Sequence, residues 1–325
     1  MSHDLESIEL TAAESAEIAH LAGDLAEISS TREPSRFIEV ARETVDGHPV
    51  FDRIRSVLDR QPCACRIGSL LAGTTEPTPE NRPPTCGKVG IQAAMLGLVS
   101  GVVGSHRGFE RESNGRLIHS VAPTRSNWDM QISSSSAVEL EMHTELAYAE
   151  HQPAFVLLLC VKQGPDAAAT LVAPLEVIID HLPLAVLNVL HEPVFMTSVD
   201  VAVRGQPGQR IGPMPVLTRS SSGDLLIRCD LGEFKPTDCK SSDALSAVRS
   251  AARSCAHRVV LDPGDLLVID NNRAMHGRLP FAARFDGDDR WLLRSYVWDS
   301  SDTAPALHTP VVPGVLHESV AADHS

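Results

Sequence analysis

The sequence predicts a mostly β protein with flanking helices, a sandwich or jelly roll that carries an N-terminal helical layer. Three observations predict it. Short β-type segments dominate from about residue 117 onward. Turn pairs such as Pro263–Gly264 and Asn271–Asn272 punctuate those segments. Helical periodicity gathers instead in the N-terminal third.

The elements follow in order. Residues 10–28 read as an amphipathic helix, because Thr11 and Glu14 form a capping-box pattern and Ile18, Leu21, Leu25 and Ile28 recur at steps of three and four. Residues 35–60 read as helical again. The stretch TTEPTPENRPPTC (74–86) holds four prolines and no apolar period, so it is a loop and a candidate lid. Ile91–Val103 is apolar and rich in small residues, as a buried helix is. Residues 154–161 (AFVLLLCV) form a short, wholly apolar run, the signature of a strand buried on both faces. Residues 169–173, 225–228, 258–261, 266–270 and 291–298 are similar. The domain reading is an N-terminal helical region (1–104) packed on a core (105–299), followed by a polar tail (300–325), all in one structural unit. No internal repeat is visible.

Composition excludes several classes. In 325 residues, 43% hydrophobic and 22% charged content rules out wholesale disorder. Lys+Arg total 28 against 42 Asp+Glu, a net charge of −14, which disfavours nucleic-acid and anionic-membrane partners. The longest apolar runs reach about half of the ~20 residues that span a bilayer, and the start MSHDLESIEL lacks the basic-then-apolar order of an export signal. Seven cysteines, an odd number, argue against a disulfide framework and for a reducing cytoplasm. Cys63 and Cys65 have no second pair at zinc spacing and read as incidental thiols.

Of fourteen histidines, only His143 has a carboxylate two residues later, in His143-Thr144-Glu145. Random placement would supply about two such pairs, so the pattern alone is weak. In an extended strand, however, residues i and i+2 face the same way, and His143 and Glu145 could share one ion. A third donor is available in His276, which lies among polar residues in NNRAMHGR. Two imidazoles and one carboxylate make the facial triad of non-haem Fe(II) sites, which keeps coordination positions open. The absence of H-E-x-x-H disfavours a helix-borne zinc protease site. Other readings stay open: His257 or His308 as the third ligand, a zinc hydrolase or isomerase on a jelly roll, or a binding module without catalysis. Arg290 on its own could equally be a surface partner of Asp286, Asp288 or Asp289.

Three stretches carry a family resemblance: HGRLPFAARFDGDDRWLLR (276–294), GDLLVIDNNRAMHGR (264–278) and EMHTELAYAEHQPAFVLLLC (141–160). Together they closely resemble the clavaminate synthase-like Fe(II)/2-oxoglutarate oxygenases, which include free amino-acid 3-hydroxylases. The resemblance is dense over about residues 105–298 and faint over the first hundred. It implies a double-stranded β-helix (jelly-roll) core, Fe(II), 2-oxoglutarate and O2, and a place in secondary metabolism. It further implies His143, Glu145 and His276 as iron ligands, and Arg290 with Thr170 as the grip on the distal carboxylate of 2-oxoglutarate. A planar guanidinium suits that carboxylate because it can donate two parallel hydrogen bonds.

By the same resemblance Arg294 meets the α-carboxylate of an amino-acid substrate, Glu112 its α-amino group, and Ser133 another polar atom. Ser134–Ser136 read as a solvated turn. Asp230 matches an acid that meets a cationic side chain in an arginine hydroxylase; the second acid here, Glu233, stands one residue further on than the pattern has it. The expected substrate is a free polar or basic α-amino acid, arginine-, lysine- or amide-like, oxidised at C3. Desaturation, ring closure or a carrier-tethered substrate are variants of the same chemistry. Because Glu145 is retained, halogenation is disfavoured.

Overall fold

The structure is a computed structural model and describes residues 5–28, 34–70, 76–80, 90–109, 117–149, 151–198, 210–299 and 311–312. The N-terminal layer opens with strand β1 (Glu6–Glu9) and helix α1 (Ala12–Ile28). Thr11 and Glu14 cap α1 reciprocally: the Thr11 amide donates to Glu14 Oε2 at 2.7 Å, and the Glu14 amide donates to Thr11 Oγ1 at 3.3 Å. The helical stretch expected over 35–60 is two helices, α2 (Pro34–Val45) and α3 (Pro49–Leu58), because Gly47 at φ +66° and Pro49 turn the chain between them.

Strand β2 (Ala64–Gly68), helix α4 (Ile91–Val103) and strands β3 (Ser105–Phe109) and β4 (Ile118–Val121) follow. Helix α4 is buried around most of its circumference. It can lie against α2 because Gly97 has no side chain: a Cβ there would stand 2.3 Å from Phe37 Cζ. Next come β5 (Leu140–His143), β6 (Phe155–Lys162), β7 (Thr170–Pro174), α5 (Leu175–Asp180), α6 (Leu184–Leu190), β8 (Phe195–Ser198), β9 (Arg210–Met214), β10 (Leu217–Arg219), β11 (Leu225–Ile227) and β12 (Lys235–Pro236). The chain closes with α7 (Cys239–Cys255), β13 (His257–Val259), β14 (Leu266–Asp270), β15 (Ala274–Arg278), β16 (Trp291–Trp298) and β17 (Val311–Val312).

Two sheets form the jelly roll. The larger runs β1-β2-β14-β6-β16-β3-β17, with β4 also on β16; the smaller runs β13-β7-β15-β5. Alternation along β6 explains its unbroken apolar run. Val156, Leu158 and Cys160 point between the sheets, where they meet Val172, Val259 and Ala274 of the smaller sheet. Leu157, Leu159 and Val161 point the other way, into a core shared with α1 to α4. The outer face of the smaller sheet is covered by α5, α6 and α7 through Leu171, Ala173, Met275, Leu245 and Val248.

The N-terminal region therefore does more than pack on the core. Strands β1 and β2 extend the larger sheet, with β2 antiparallel to β14. Cys65, read from sequence as an incidental thiol, is fully buried in β2. Of the 74–86 loop, residues 76–80 are described. There Thr78 is buried, its amide donating to Gly287 O and its hydroxyl to Asp289 O. Glu112, Cys86, His308 and most of the polar tail lie outside the described residues. Among the described residues, no helix is long and apolar enough to cross a membrane.

Candidate active site

His276 lies in β15 and His143 ends β5, and the two are direct cross-strand partners. Their ring centroids are 4.4 Å apart. Sequence reading placed His276 in a polar, flexible stretch. The structure corrects this: all five residues of β15 are buried, since the strand lies inside the smaller sheet between β7 and β5. Gly277 makes the close approach possible. A Cβ there would stand 2.6 Å from Leu140 O and 2.9 Å from Met142 Sδ, at the point where the β15–β5 register shifts. Gly277→Ala should therefore cost about 1–3 kcal/mol of stability and move His276 relative to His143, measurable as a lower urea midpoint and weaker Fe(II) binding.

Glu145 lies beyond the end of β5, and the next residue, Leu146, turns at φ +55°. The carboxyl is buried. Tyr296 OH donates to Oε2 at 3.1 Å and Arg294 Nη1 donates to Oε1 at 2.8 Å, while His276 Nε2 lies 3.7 Å from Oε1. Burial opposes its ionisation, but Arg294 and the two imidazoles outweigh that and hold the carboxyl well below the usual carboxylate range. Burial also brings His276 down to about 4, so its imidazole is neutral at ordinary pH, as metal ligation requires.

One donor atom from each of His143, Glu145 and His276 lies within 4.8 Å of the others. His143 Nδ1 is 2.8 Å from Glu141 O, which assigns its proton to Nδ1 and leaves Nε2 with a free lone pair. His276 Nδ1 is buried and has no hydrogen-bond partner among the described residues. The donor set fits a divalent iron. His257 lies on β13 opposite Val172 and is no part of this cluster.

Arg290 is buried and donates from Nη2 to Thr170 Oγ1 at 3.0 Å. The surface alternative for Arg290 does not hold. Asp289 accepts the amides of Arg284 and Phe285, Asp288 pairs with Lys162, and Asp286 accepts the Asp288 amide. Among the described residues no carboxylate pairs with Arg290. Burial lowers its guanidinium to about 10. Arg290 precedes β16, whose register shifts between Trp291 and Leu292, so simple strand alternation does not relate it to Arg294.

Arg294, Ser133, Asp230 and Glu233 line one cavity with His143 and Glu145, of about 430 Å³, a size that suits a small ligand. Asp230 bridges to His143 across the backbone. Its Oδ1 accepts the amides of Gly232 and Glu233, and burial raises its carboxyl. Glu233 is exposed at the mouth, where it accepts from Ser198 Oγ at 2.9 Å. The solvated reading of Ser134–Ser136 fails for two of the three: Ser135 and Ser136 are buried, because the segment folds under Arg278, which donates to Ser135 Oγ.

A family model described as taurine catabolism dioxygenase TauD, TfdA family, matches residues 233–296. Clavaminate synthase 2 of Streptomyces clavuligerus is 32% identical over 225 residues, covering 68% of this chain and 68% of that protein. The chain belongs to the clavaminate synthase-like Fe(II)/2-oxoglutarate oxygenases. L-lysine 3-hydroxylase of Catenulispora acidiphila is 32% identical over 68% of this chain, and the match spans 63% of that protein's length, under two thirds of it. A crystal structure of asparagine oxygenase with Fe(II), 2S,3S-3-hydroxyasparagine and succinate superposes at a TM-score of 0.83, with 27% identity over 90% of this chain and 93% of the other.

In this member of the clavaminate synthase-like family, sequence reading missed Asn271, taken only as turn punctuation. Asn271 is fully buried. Its Oδ1 accepts the Glu145 amide at 2.7 Å, and its Nδ2 donates to Glu145 O at 3.1 Å and to Pro153 O at 2.9 Å. One side chain thus clamps both backbone groups of Glu145 and ties them to the turn that leads into β15. The signal in the sequence was only the pair Asn271–Asn272; nothing local distinguishes a clamp from a turn. Asn271→Ala should weaken Fe(II) binding roughly 10- to 100-fold, read by anaerobic metal titration.

Proposed function

We propose that the protein is an Fe(II)- and 2-oxoglutarate-dependent dioxygenase that hydroxylates an unactivated C–H, at C3, of a free polar or basic α-amino acid. The observation that carries this reading is a two-His, one-carboxylate donor set, the imidazoles on adjacent strands and the carboxylate in the turn after β5, in the same fold as a buried Arg290 that no carboxylate of the described chain neutralises. Iron with 2-oxoglutarate supplies oxidation by O2, in which one oxygen atom enters the substrate C–H and the other converts the keto acid to succinate and CO2.

The chain supplies binding and orientation. His143, Glu145 and His276 would hold the iron. Tyr296 and Arg294 fix the Glu145 carboxylate, Glu141 O fixes the tautomer of His143, and Asn271 fixes the backbone of Glu145. Arg290 with Thr170 would take the distal carboxylate of 2-oxoglutarate. Arg294, whose Nη2 lies 3.4 Å from His119 Nδ1, would take the substrate α-carboxylate. Asp230 and Glu233 favour a cationic or hydrogen-bond-donating side chain, and Ser133 adds a polar contact. Glu112 keeps its proposed role at the α-amino group from resemblance alone. The relatives named lysine 3-hydroxylase and asparagine oxygenase support this substrate class. Six described cysteines stand as free thiols, which supports a cytoplasmic setting.

The test is succinate release over a panel of free amino acids with Fe(II), 2-oxoglutarate and ascorbate, followed by mass spectrometry. Lysine, arginine, ornithine or an amide amino acid should stimulate release and gain one oxygen atom; leucine should not. If no amino acid stimulates release, and anaerobic Fe(II) with 2-oxoglutarate gives no visible charge-transfer band, the reading fails. Arg294→Ala should raise the KM for the amino acid roughly 10- to 100-fold, and a change confined to 2-oxoglutarate would reverse the roles given to Arg290 and Arg294.

A further inference from the structure

Arg278 is a second buried guanidinium beside Arg290, and the mechanism above does not use it. Only 3% of it is exposed. Across the sheet it is registered with Thr170, the residue whose hydroxyl accepts from Arg290. Its Nη2 donates to Ser135 Oγ at 2.8 Å and to Val138 O at 3.3 Å, and its guanidinium lies over the Phe281 ring at 4.9 Å. Nε and Nη1 are buried with no hydrogen-bond partner among the described residues. Neither guanidinium has a carboxylate partner among those residues.

Enclosing two like charges without a counter-ion is unfavourable, because desolvation and mutual repulsion add. The neutral partners present, Thr170 Oγ1, Ser135 Oγ and Val138 O, satisfy some N–H groups but supply no negative charge. An anion bound between the two would satisfy the remaining donors and offset the repulsion. We infer that Arg278 is a second anion-binding residue beside Arg290 and Thr170, so that the distal carboxylate of the keto-acid co-substrate is held between two guanidiniums. This rests on the 2-oxoglutarate reading above.

The experiment measures binding to the anaerobic Fe(II)-loaded protein by calorimetry. Two keto acids are compared: 2-oxoglutarate, and 2-oxopentanoate, which keeps the metal-chelating end but lacks the distal carboxylate. Arg278→Met should raise the Kd for 2-oxoglutarate roughly 10- to 100-fold while moving that for 2-oxopentanoate by no more than about twofold. Arg278→Lys, which keeps the charge and loses the fork, should fall between; it carries the comparison if the methionine variant does not fold. Without co-substrate, the melting temperature of Arg278→Met should hold or rise, since one of two repelling charges is gone. Equal weakening of both keto acids, or a lower melting temperature with the 2-oxoglutarate Kd unchanged, would make Arg278 a brace for residues 135–138 and overturn the inference. Failure of the unsubstituted protein to bind 2-oxoglutarate would instead overturn the co-substrate reading itself.

Discussion

His276→Ala is expected to lower succinate release at least about a thousandfold, because a bound metal contributes several kcal/mol to the reaction and each 1.36 kcal/mol is tenfold in rate. The substitution removes one of three donors and leaves His143 and Glu145 as a two-point site. Folding should survive. His276 is neutral at ordinary pH, its Nδ1 has no partner to orphan, and it faces the site rather than the apolar cores. Anaerobic Fe(II) titration should show the metal lost, while circular dichroism should show the sheet content kept. Retention of iron and turnover would mean that another histidine, such as His308, is the third ligand.

Arg290→Ala comes second. Truncating one member of a buried, hydrogen-bonded charge pair costs about 2–5 kcal/mol, so the 2-oxoglutarate requirement should rise about 30- to 5,000-fold. At saturating co-substrate, kcat should change little, since Arg290 is assigned to the carboxylate far from the chelating end. The co-substrate-free protein should be no less stable than the parent. Arg290 is buried without a countercharge among the described residues, and its loss removes a desolvated cation at the expense of one hydrogen bond to Thr170. Steady-state kinetics in 2-oxoglutarate and a thermal melt without it check both halves.

What the sequence made legible was whatever is written locally. The α1 cap needs only Thr11 and Glu14, and β6 announces itself as an apolar run because both of its faces meet a core. His143, Glu145 and His276, which the fold brings together, and Arg290 and Thr170, which it joins by a hydrogen bond, were picked out through combined motifs rather than through spacing alone. What stayed hidden depends on distant partners. Strands β1 and β2 are short and mixed in polarity, and join the larger sheet only because β14 offers its edge. Helix α7 has a modest apolar face of Ala244, Leu245, Val248, Ala251 and Ala252, and small residues leave a faint period. Strand β15 looked polar because His276 and Arg278 are buried for their chemistry and not for their hydropathy. The ion pair of Arg294 with Glu145, and the Asn271 clamp, join residues more than a hundred positions apart, which no local pattern records.

The cross-strand meeting of His143 with His276 has a consequence for how the proposed iron site would be filled. During synthesis the first imidazole leaves the ribosome long before the second, and the arginine that steadies Glu145 emerges later still. A nascent chain that has exposed only β5 to β14 offers iron two donors on an edge with no neighbour. Loading of the proposed site must therefore wait until β15 has emerged, and a fragment cut before β15 should come out of the cell without metal.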